Sequence, residues 1–214
     1  MALLVKICGI NSAAAADAAI GADFCGLVFH PRSPRHVSPD AARALADRIR
    51  GRARLVTLVA DADDDTIAAA LAAIRPDLLQ LHGRETPERA AAIGARFGVP
   101  LIKAFAIDEA SDFAAVPAYA PLAEMFLFDA KAPSGAVPGG HGVAFDWQLL
   151  NNRRFARPWL LAGGLSAENV ARAVAVSGAP GVDVSSGVET APGVKSPDRI
   201  AAFLSAAKNH GGVS

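Results

Sequence analysis

The sequence predicts an α/β fold, a (β/α)8 TIM barrel in which eight parallel strands alternate with helices. A strand-then-helix pattern repeats about eight times along the 214 residues, or ~27 residues for each unit, which suits a compact barrel. The predicted strands are near-continuous apolar runs, as expected for parallel strands that are buried on both faces. No low-complexity linker divides the chain, so residues 1–214 are predicted to form a single domain.

The main alternative is an open, doubly wound parallel sheet. Such sheets more often carry a glycine-rich fingerprint directly after their first strand. Here only one glycine, Gly9, follows the first strand. The closed barrel is therefore favoured.

Each predicted strand is a short apolar run bounded by turn or helix-cap residues. In chain order, the strands are expected at Leu3–Cys8, Phe24–Phe29, Arg54–Ala60, Leu78–Leu81, Leu101–Ala106, Met125–Asp129, Trp159–Ala162 and Val182–Ser185.

The helices of the first half are predicted from their composition and caps. An alanine-rich helix is expected over about Ser12–Ile20. Ser38-Pro39 and Thr86-Pro87 each place a cap residue before a proline, which is typical of a helix start. The helix over Asp63–Arg75 has acidic residues in its first turn, where the helix dipole favours them.

The second half is less regular. A weak helix is expected over about Glu109–Val116, and a loop rich in glycine and proline runs from residue 131 to residue 142. A short helix is expected over Phe145–Leu150, one over Ser166–Val176 with Ser166 as its cap, and a last one over Pro197–Lys208.

Composition excludes several classes of partner. The formal net charge is zero, whereas nucleic acids and anionic membranes both call for a basic surface. No stretch approaches the ~20 apolar residues that span a bilayer. Lys6 interrupts the apolar N-terminus, so no signal peptide is expected and a cytoplasmic protein with Cys8 and Cys25 reduced is predicted. With no exposed heptad or long apolar edge, a monomer is expected.

Two side chains at strand ends suggest acid–base chemistry. In a barrel, active sites lie at the carboxyl ends of the strands, where Cys8 and Asp129 end the first and sixth strands. Cys8 is a candidate base, although a cysteine there is often only apolar filler. Asp129 is a candidate acid, because burial would keep its carboxyl partly protonated. The alternative for Asp129 is a salt bridge to Lys131.

Other polar residues follow the same strand ends. Arg35 can form a two-pronged pair with a carboxylate, or it is a solvated loop arginine. His82 is either a ligand-binding residue or hydrogen-bonded filler. The opposite strand ends show nothing comparable, and this asymmetry indicates an enzyme. No histidine has zinc-like spacing to either cysteine, so no metal site is predicted.

The loops after strands seven and eight resemble the phosphate site of many barrels. Glycines there let the backbone approach a ligand closely, and a short helix near Ser186 would add its dipole. The alternative is two tight turns without a ligand. The predicted phosphate-binding residues are Gly163, Gly164, Ser185, Ser186 and Gly187.

Seven motifs, in order from the first strand to the last, together resemble the phosphoribosylanthranilate isomerase family of tryptophan biosynthesis. "KICG" and "VDVSSGVE" are specific in combination. The motifs are "KICGI" at 6–10, "SPRHVS" at 33–38, "LQLHG" at 79–83, "LFDAK" at 127–131, "FDW" at 145–147, "LAGGLSAENV" at 161–170 and "VDVSSGVE" at 182–189.

The resemblance implies a barrel that performs an Amadori rearrangement on N-(5-phospho-β-D-ribosyl)anthranilate. It implies Cys8 as general base, Asp129 as general acid and Arg35 as the group that holds the anthranilate carboxylate. His82 and Asp183 are expected to support the substrate, with the phosphate held by the two loops above. The substrate's own amine forms the iminium, so no cofactor is expected.

Three departures and two rival functions are noted. His141 stands where the family usually has a small hydroxyl residue, strand three is less typical, and "SPD" follows "PGVK". One rival is a related barrel acting on another aminoaldose, or one serving both histidine and tryptophan pathways, although "AGG" occurs only once. The other is a non-catalytic phosphosugar-binding protein.

Overall fold

The computed structural model describes residues 2–131 and 145–209. Eight parallel strands form a closed barrel in chain order, which confirms the predicted fold class. The strands are β1 (Leu4–Cys8), β2 (Phe24–Val28), β3 (Arg54–Val59), β4 (Leu78–Leu81), β5 (Leu101–Ile107), β6 (Met125–Ala130), β7 (Trp159–Leu161) and β8 (Gly181–Val184).

In the described part of the chain, six α-helices cover the barrel. They are α1 (Ala13–Ala18), α2 (Pro39–Ile49), α3 (Asp64–Ile74), α4 (Pro87–Phe97), α5 (Val170–Ser177) and α6 (Pro197–Asn209). The predicted caps Ser38 and Thr86 are observed, and Asp63 caps α3 in the same way: each accepts a hydrogen bond from a backbone N–H three residues later.

Three predicted helices differ from the structure. The segments after β5 and before β7 are 3-10 helices, Ala110–Tyr119 and Trp147–Leu150. Helix α5 begins at Val170, so the prediction that Ser166 caps it was wrong. The reason is Asn169, whose side chain accepts from the Ser166 N–H and donates to the Gly164 carbonyl, which folds the preceding loop back on itself.

A two-stranded hairpin, β9 (Glu189–Ala191) and β10 (Val194–Lys195), was not predicted. It lies between β8 and α6, where "VETAPGVK" is too short and too polar to resemble a barrel strand. Most of the loop predicted over 131–142, with His141, lies outside the described residues.

Alternation along the strands separates the barrel interior from the layer beneath the helices. A compact apolar cluster fills the lower interior: Phe24, Val56, Leu78, Ile102, Ala104, Met125, Leu127, Leu160 and Ala162. Asp129 is in phase with Leu127, and Cys8 is in phase with Lys6, whose register partners are Phe24 and Asp183. Cys8 and Asp129 therefore both face the barrel interior near its carboxyl-end mouth.

The amino-terminal end of the barrel is more polar than predicted. Asp23 accepts a hydrogen bond from the Val5 N–H at 2.8 Å, and Asp77 accepts one from the Leu55 N–H at 2.6 Å. Arg54 and Glu124 form an ion pair at 3.3 Å. The expectation of nothing comparable at this end was wrong, because carboxylates here satisfy the first backbone donors of the strands.

Within the described residues, the helices are all too short or too polar to pass through a lipid bilayer.

Candidate active site

Cys8 is the last residue of β1 and lies close to buried charged side chains. Its side chain is 5% exposed. Lys6, one interior layer below, is fully buried and its Nζ lies 2.9 Å from Asp183 Oδ1 on the neighbouring β8. Burial raises the pKa of the Cys8 thiol, while the Lys6 charge acts to lower it. Asp183, predicted to bind substrate, thus holds a lysine that the sequence analysis had not singled out for the site.

Asp129 ends the interior face of β6 and is 9% exposed. Its Oδ2 lies 3.3 Å from His82 Nε2, and its Oδ1 accepts the Ala130 N–H at 2.9 Å. Lys131, the alternative partner considered for Asp129, has its Nζ 3.9 Å from Asp112 Oδ1. His82 and Asp129, predicted separately for the site, are therefore in direct contact.

Gln80 orients His82 from below. Its Nε2 lies 2.7 Å from His82 Nδ1. The Gln80 amide and the Asp129 carboxyl thus contact the two ring nitrogens of His82, Nδ1 and Nε2, and together fix the orientation of the ring. Gln80 is fully buried, and its Oε1 has no hydrogen-bond partner among the residues described.

The two predicted phosphate loops are closely packed around glycines. Gly163 and Gly164 have φ values of +86° and +64°, which L side chains rarely adopt. A Cβ at Gly163 would lie 2.6 Å from the Ala130 backbone nitrogen, and one at Gly187 would lie 1.9 Å from the Leu165 carbonyl oxygen. Positions 163 and 187 require glycine because neighbouring backbone occupies the space that a Cβ would fill.

Arg35 is buried, so the interpretation as a solvated loop arginine was wrong. Its Nε and Nη2 donate to the two carboxylate oxygens of Glu189 at 2.7 and 2.8 Å. Its side chain lies across Gly9, where a Cβ would come within 2.7 Å of Arg35 Cδ. Arg35 thus makes its two-pronged pair with Glu189, a carboxylate of the protein itself, and this pair orients the guanidinium.

Glu189 and Lys195 of the unpredicted hairpin complete this group. Lys195 Nζ lies 2.7 Å from Glu189 Oε1 and donates to the carbonyl and hydroxyl oxygens of Ser185 at 2.9 and 3.2 Å. Burial acts to raise the pKa of the Glu189 carboxyl, but the bonds from Arg35 and the charge of Lys195 hold it below its ordinary value. One lysine therefore connects the arginine to the predicted phosphate loop.

Both cysteines are free and buried. Within residues 2–131 and 145–209, no three histidine, cysteine or acidic side chains are placed to hold a metal ion together. The absence of a metal or cofactor remains a prediction.

Comparison with known proteins identifies the family. The family model described as N-(5'phosphoribosyl)anthranilate (PRA) isomerase matches residues 5–206. The chain belongs to the PRA isomerase family. A relative from Azorhizobium caulinodans, named N-(5'-phosphoribosyl)anthranilate isomerase, is 54% identical over 211 residues, which are 97% of this chain and 92% of the relative.

Solved structures of PRA isomerases share the fold closely. The Thermotoga maritima enzyme superposes with a TM-score of 0.85 at 34% identity, covering 97% of this chain and 99% of that one. A second PRA isomerase structure contains reduced 1-(o-carboxyphenylamino)-1-deoxyribulose 5-phosphate, and it superposes with a TM-score of 0.82 at 32% identity over the same shares of the two chains. These matches confirm the predicted family, barrel and isomerase class.

Of four further side chains that contact the predicted site residues, Gln80 is among the polar residues that the sequence places at the strand ends, whereas Lys6, Glu189 and Lys195 were not assigned to the site. Two carry a usable signal: Lys6 and Gln80 are polar residues within apolar strands, in phase with Cys8 and His82. Glu189 ends the motif "VDVSSGVE", but the motif does not report its contact with Arg35, and Lys195 had no signal, because a hairpin that no strand pattern marked makes these contacts.

Proposed function

We propose that this chain catalyses the Amadori rearrangement of N-(5-phospho-β-D-ribosyl)anthranilate to 1-(2-carboxyphenylamino)-1-deoxy-D-ribulose 5-phosphate in tryptophan biosynthesis. The observation that carries the proposal is the position of Cys8 and Asp129 in a PRA isomerase barrel. Cys8 is the last residue of β1 and Asp129 the next-to-last of β6, two non-adjacent strands, and both side chains face the barrel interior near its mouth. A base and an acid on different strands can act on different atoms of one sugar.

In the first step, Asp129 protonates the ring oxygen of the furanose. The C1–O bond breaks, and the lone pair of the anthranilate nitrogen forms a C=N bond, giving an open-chain iminium. His82, which contacts the Asp129 carboxyl, holds it in position for this transfer. The cation is made from the substrate's own amine, and for this reason we propose that no cofactor takes part.

In the second step, Cys8 removes the proton from C2, and its electrons neutralise the iminium to give an enolamine. Tautomerisation, with a proton added at C1 and one lost from the C2 hydroxyl, yields the aminoketose. The base must be a thiolate, and burial makes the thiolate scarce. Nearby positive charge is therefore needed at Cys8.

The charged ends of the substrate would hold the reacting carbons in place. We assign the phosphate to the loops with Gly163, Gly164, Ser185, Ser186 and Gly187, and the anthranilate carboxylate to Arg35. Fixing both ends turns proton transfer into a reaction between positioned groups, which accounts for a large part of enzymatic rate enhancement. Asp183 and His82 are assigned to the sugar between them.

Steady-state turnover of the aminoaldose tests the proposal, together with growth rescue of a tryptophan-requiring strain that lacks the isomerase. We expect rescue by the wild-type chain and none by Cys8→Ala. Rescue failure with a folded wild-type protein would contradict the proposal. If the protein turned over only a different aminoaldose, it would be a related barrel with another substrate. If it bound phosphosugars without turning them over, it would be a non-catalytic binding protein.

We also propose that the enzyme is a cytoplasmic monomer, as the sequence patterns predicted. Light scattering on the purified chain tests the oligomeric state, and a mass twice the 21.9 kDa of the chain would contradict it.

A further inference from the structure

We propose that the buried Lys6–Asp183 ion pair is a positioning device for Cys8, placing a fixed ammonium charge next to the thiolate that acts as base. The proposal rests on the proposed function for the role of Cys8. The location of the charge and its effect on the thiol are independent of that role.

The first observation is energetic. Lys6 is fully buried and Asp183 is 6% exposed. The free energy lost when both charges leave water is commonly larger than the free energy gained from their attraction. Apolar residues in place of the pair would therefore stabilise the barrel equally well. The interior layer below is indeed apolar. An ion pair at this level therefore requires an explanation other than stability, and the adjacent candidate base provides one.

The second observation is the space left by Gly26. Its register partner is Cys8, and its φ is not in the left-handed region, so the backbone does not require glycine there. A Cβ at position 26 would lie 3.1 Å from Cys8 Sγ and 3.4 Å from Lys6 Cε. The Cys8 sulfur and the end of the Lys6 chain thus both border the small space at Gly26, and any side chain there would press on both.

The surrounding charges favour the thiolate. Those facing Cys8 are Lys6 on β1, Asp183 on β8 and Lys195 on β10, and the neutral thiol of Cys25 lies nearby on β2. Attraction to Asp183 and Cys8 outweighs burial and keeps the pKa of Lys6 above its ordinary value, so Lys6 remains a cation. The charge of Lys6 lowers the pKa of the thiol by more than Asp183 raises it.

The test measures the thiol directly, without turnover. In a Cys25→Ala background, Cys8 is the only thiol. The variant K6M/D183N replaces the pair by neutral side chains of similar size, so that no unpaired charge is buried. Iodoacetamide alkylation is followed against pH. We expect K6M/D183N to react at least about tenfold more slowly at pH 8, with its midpoint at least about one pH unit higher, since a unit is a tenfold change in thiolate.

A second buried pair supplies the matched control. Lys103 and Glu85 lie 2.8 Å apart, both nearly as buried, and they face the outer layer of the barrel. K103M/E85Q removes an equivalent ion pair without touching Cys8. We expect its alkylation profile to match that of the background protein.

Equal alkylation profiles for K6M/D183N and its background would overturn the proposal. Should K6M/D183N not fold, NMR of the wild-type protein decides: a Lys6 side-chain nitrogen signal that moves as Cys8 ionises supports the contact, and an unmoved one contradicts it. If the wild type does not turn over the aminoaldose, the proposed function fails, while the alkylation result still decides whether Lys6 controls the thiol.

Discussion

Three of the charged or ionisable side chains predicted for the site are bound by another side chain. Asp183 pairs with Lys6, Asp129 contacts His82, and Arg35 is bound by Glu189. Charged and polar groups this deeply buried persist only when their bonds are satisfied, so each functional group brings a partner with it. Rate and affinity should therefore depend on the partners as well as on the groups that touch substrate.

Arg35 provides the clearest case for separating affinity from rate. Arg35→Met should raise KM by about tenfold or more with little change in kcat, because one end of the substrate loses its anchor. Glu189→Gln should raise KM by less, since the guanidinium is retained and only its orientation is loosened. Steady-state kinetics against aminoaldose concentration measures both. An unchanged KM in Arg35→Met would show that the carboxylate is held elsewhere.

At the scale of elements, the site depends on close contacts between loops more than on strand ends. The loop after β7 lies against Ala130 at the end of β6, and the loop after β8 lies against Leu165. Strands and capped helices follow from apolar runs and short local signals, which explains why the sequence predicted them well. The hairpin β9–β10 is held by a residue far away in the chain, since Arg35 binds the Glu189 carboxylate, and no local pattern reports such a contact. The start of α5 depends on Asn169, whose side chain folds the preceding loop and takes the place of the expected Ser166 cap.

Gly163→Ala tests whether the β6–β7 contact shapes the phosphate site. The added methyl meets the Ala130 backbone at 2.6 Å, so we expect a loss of about 1–3 kcal/mol in unfolding free energy and a higher KM. Gly178→Ala is the matched control: its φ of +71° imposes similar backbone strain, but nothing lies within 4 Å of the new methyl.

Urea denaturation and steady-state kinetics of the two glycine variants supply the measurement. Gly178→Ala should lose stability from strain alone and keep its KM. Equal KM values in the two variants would show that the contact between the loop after β7 and Ala130 does not affect phosphate binding.

At the scale of the whole molecule, the sequence predicted the barrel, the family and the residues at the mouth, but it did not report the role of Lys6 one layer deeper or the charged amino-terminal rim. Apolar periodicity reports which face is buried, whereas Lys6 and Gln80 are polar residues on buried faces. The sequence marks such exceptions, but only the register of the strands shows which neighbours they reach. The assigned roles of the site residues remain predictions.

Stability should fall at high pH because of a buried thiol. Burial raises the pKa of Cys25 from 9.0 to about 12, so the unfolded chain loses that proton first. The contribution of Cys25 to the free energy of unfolding is therefore complete below about pH 9, where the thiol is protonated in both states. Between pH 9 and pH 12 this free energy falls by up to about 1.4 kcal/mol per pH unit, because the unfolded chain has lost a proton that the folded chain keeps. Urea denaturation of wild type and Cys25→Ala between pH 8 and 10 should show a steeper decline in the wild type; parallel declines would contradict it.

The central claim is that Cys8 and Asp129 act as base and acid on one sugar. Its most direct test is turnover of N-(5-phospho-β-D-ribosyl)anthranilate by Cys8→Ala and Asp129→Asn, with binding of a reduced product analogue measured in parallel. We expect kcat to fall by about 10²–10⁴-fold in each variant, while the affinity for the analogue stays within a few-fold of the wild-type value. Near-normal kcat in either variant, with the protein folded and saturated, would contradict it.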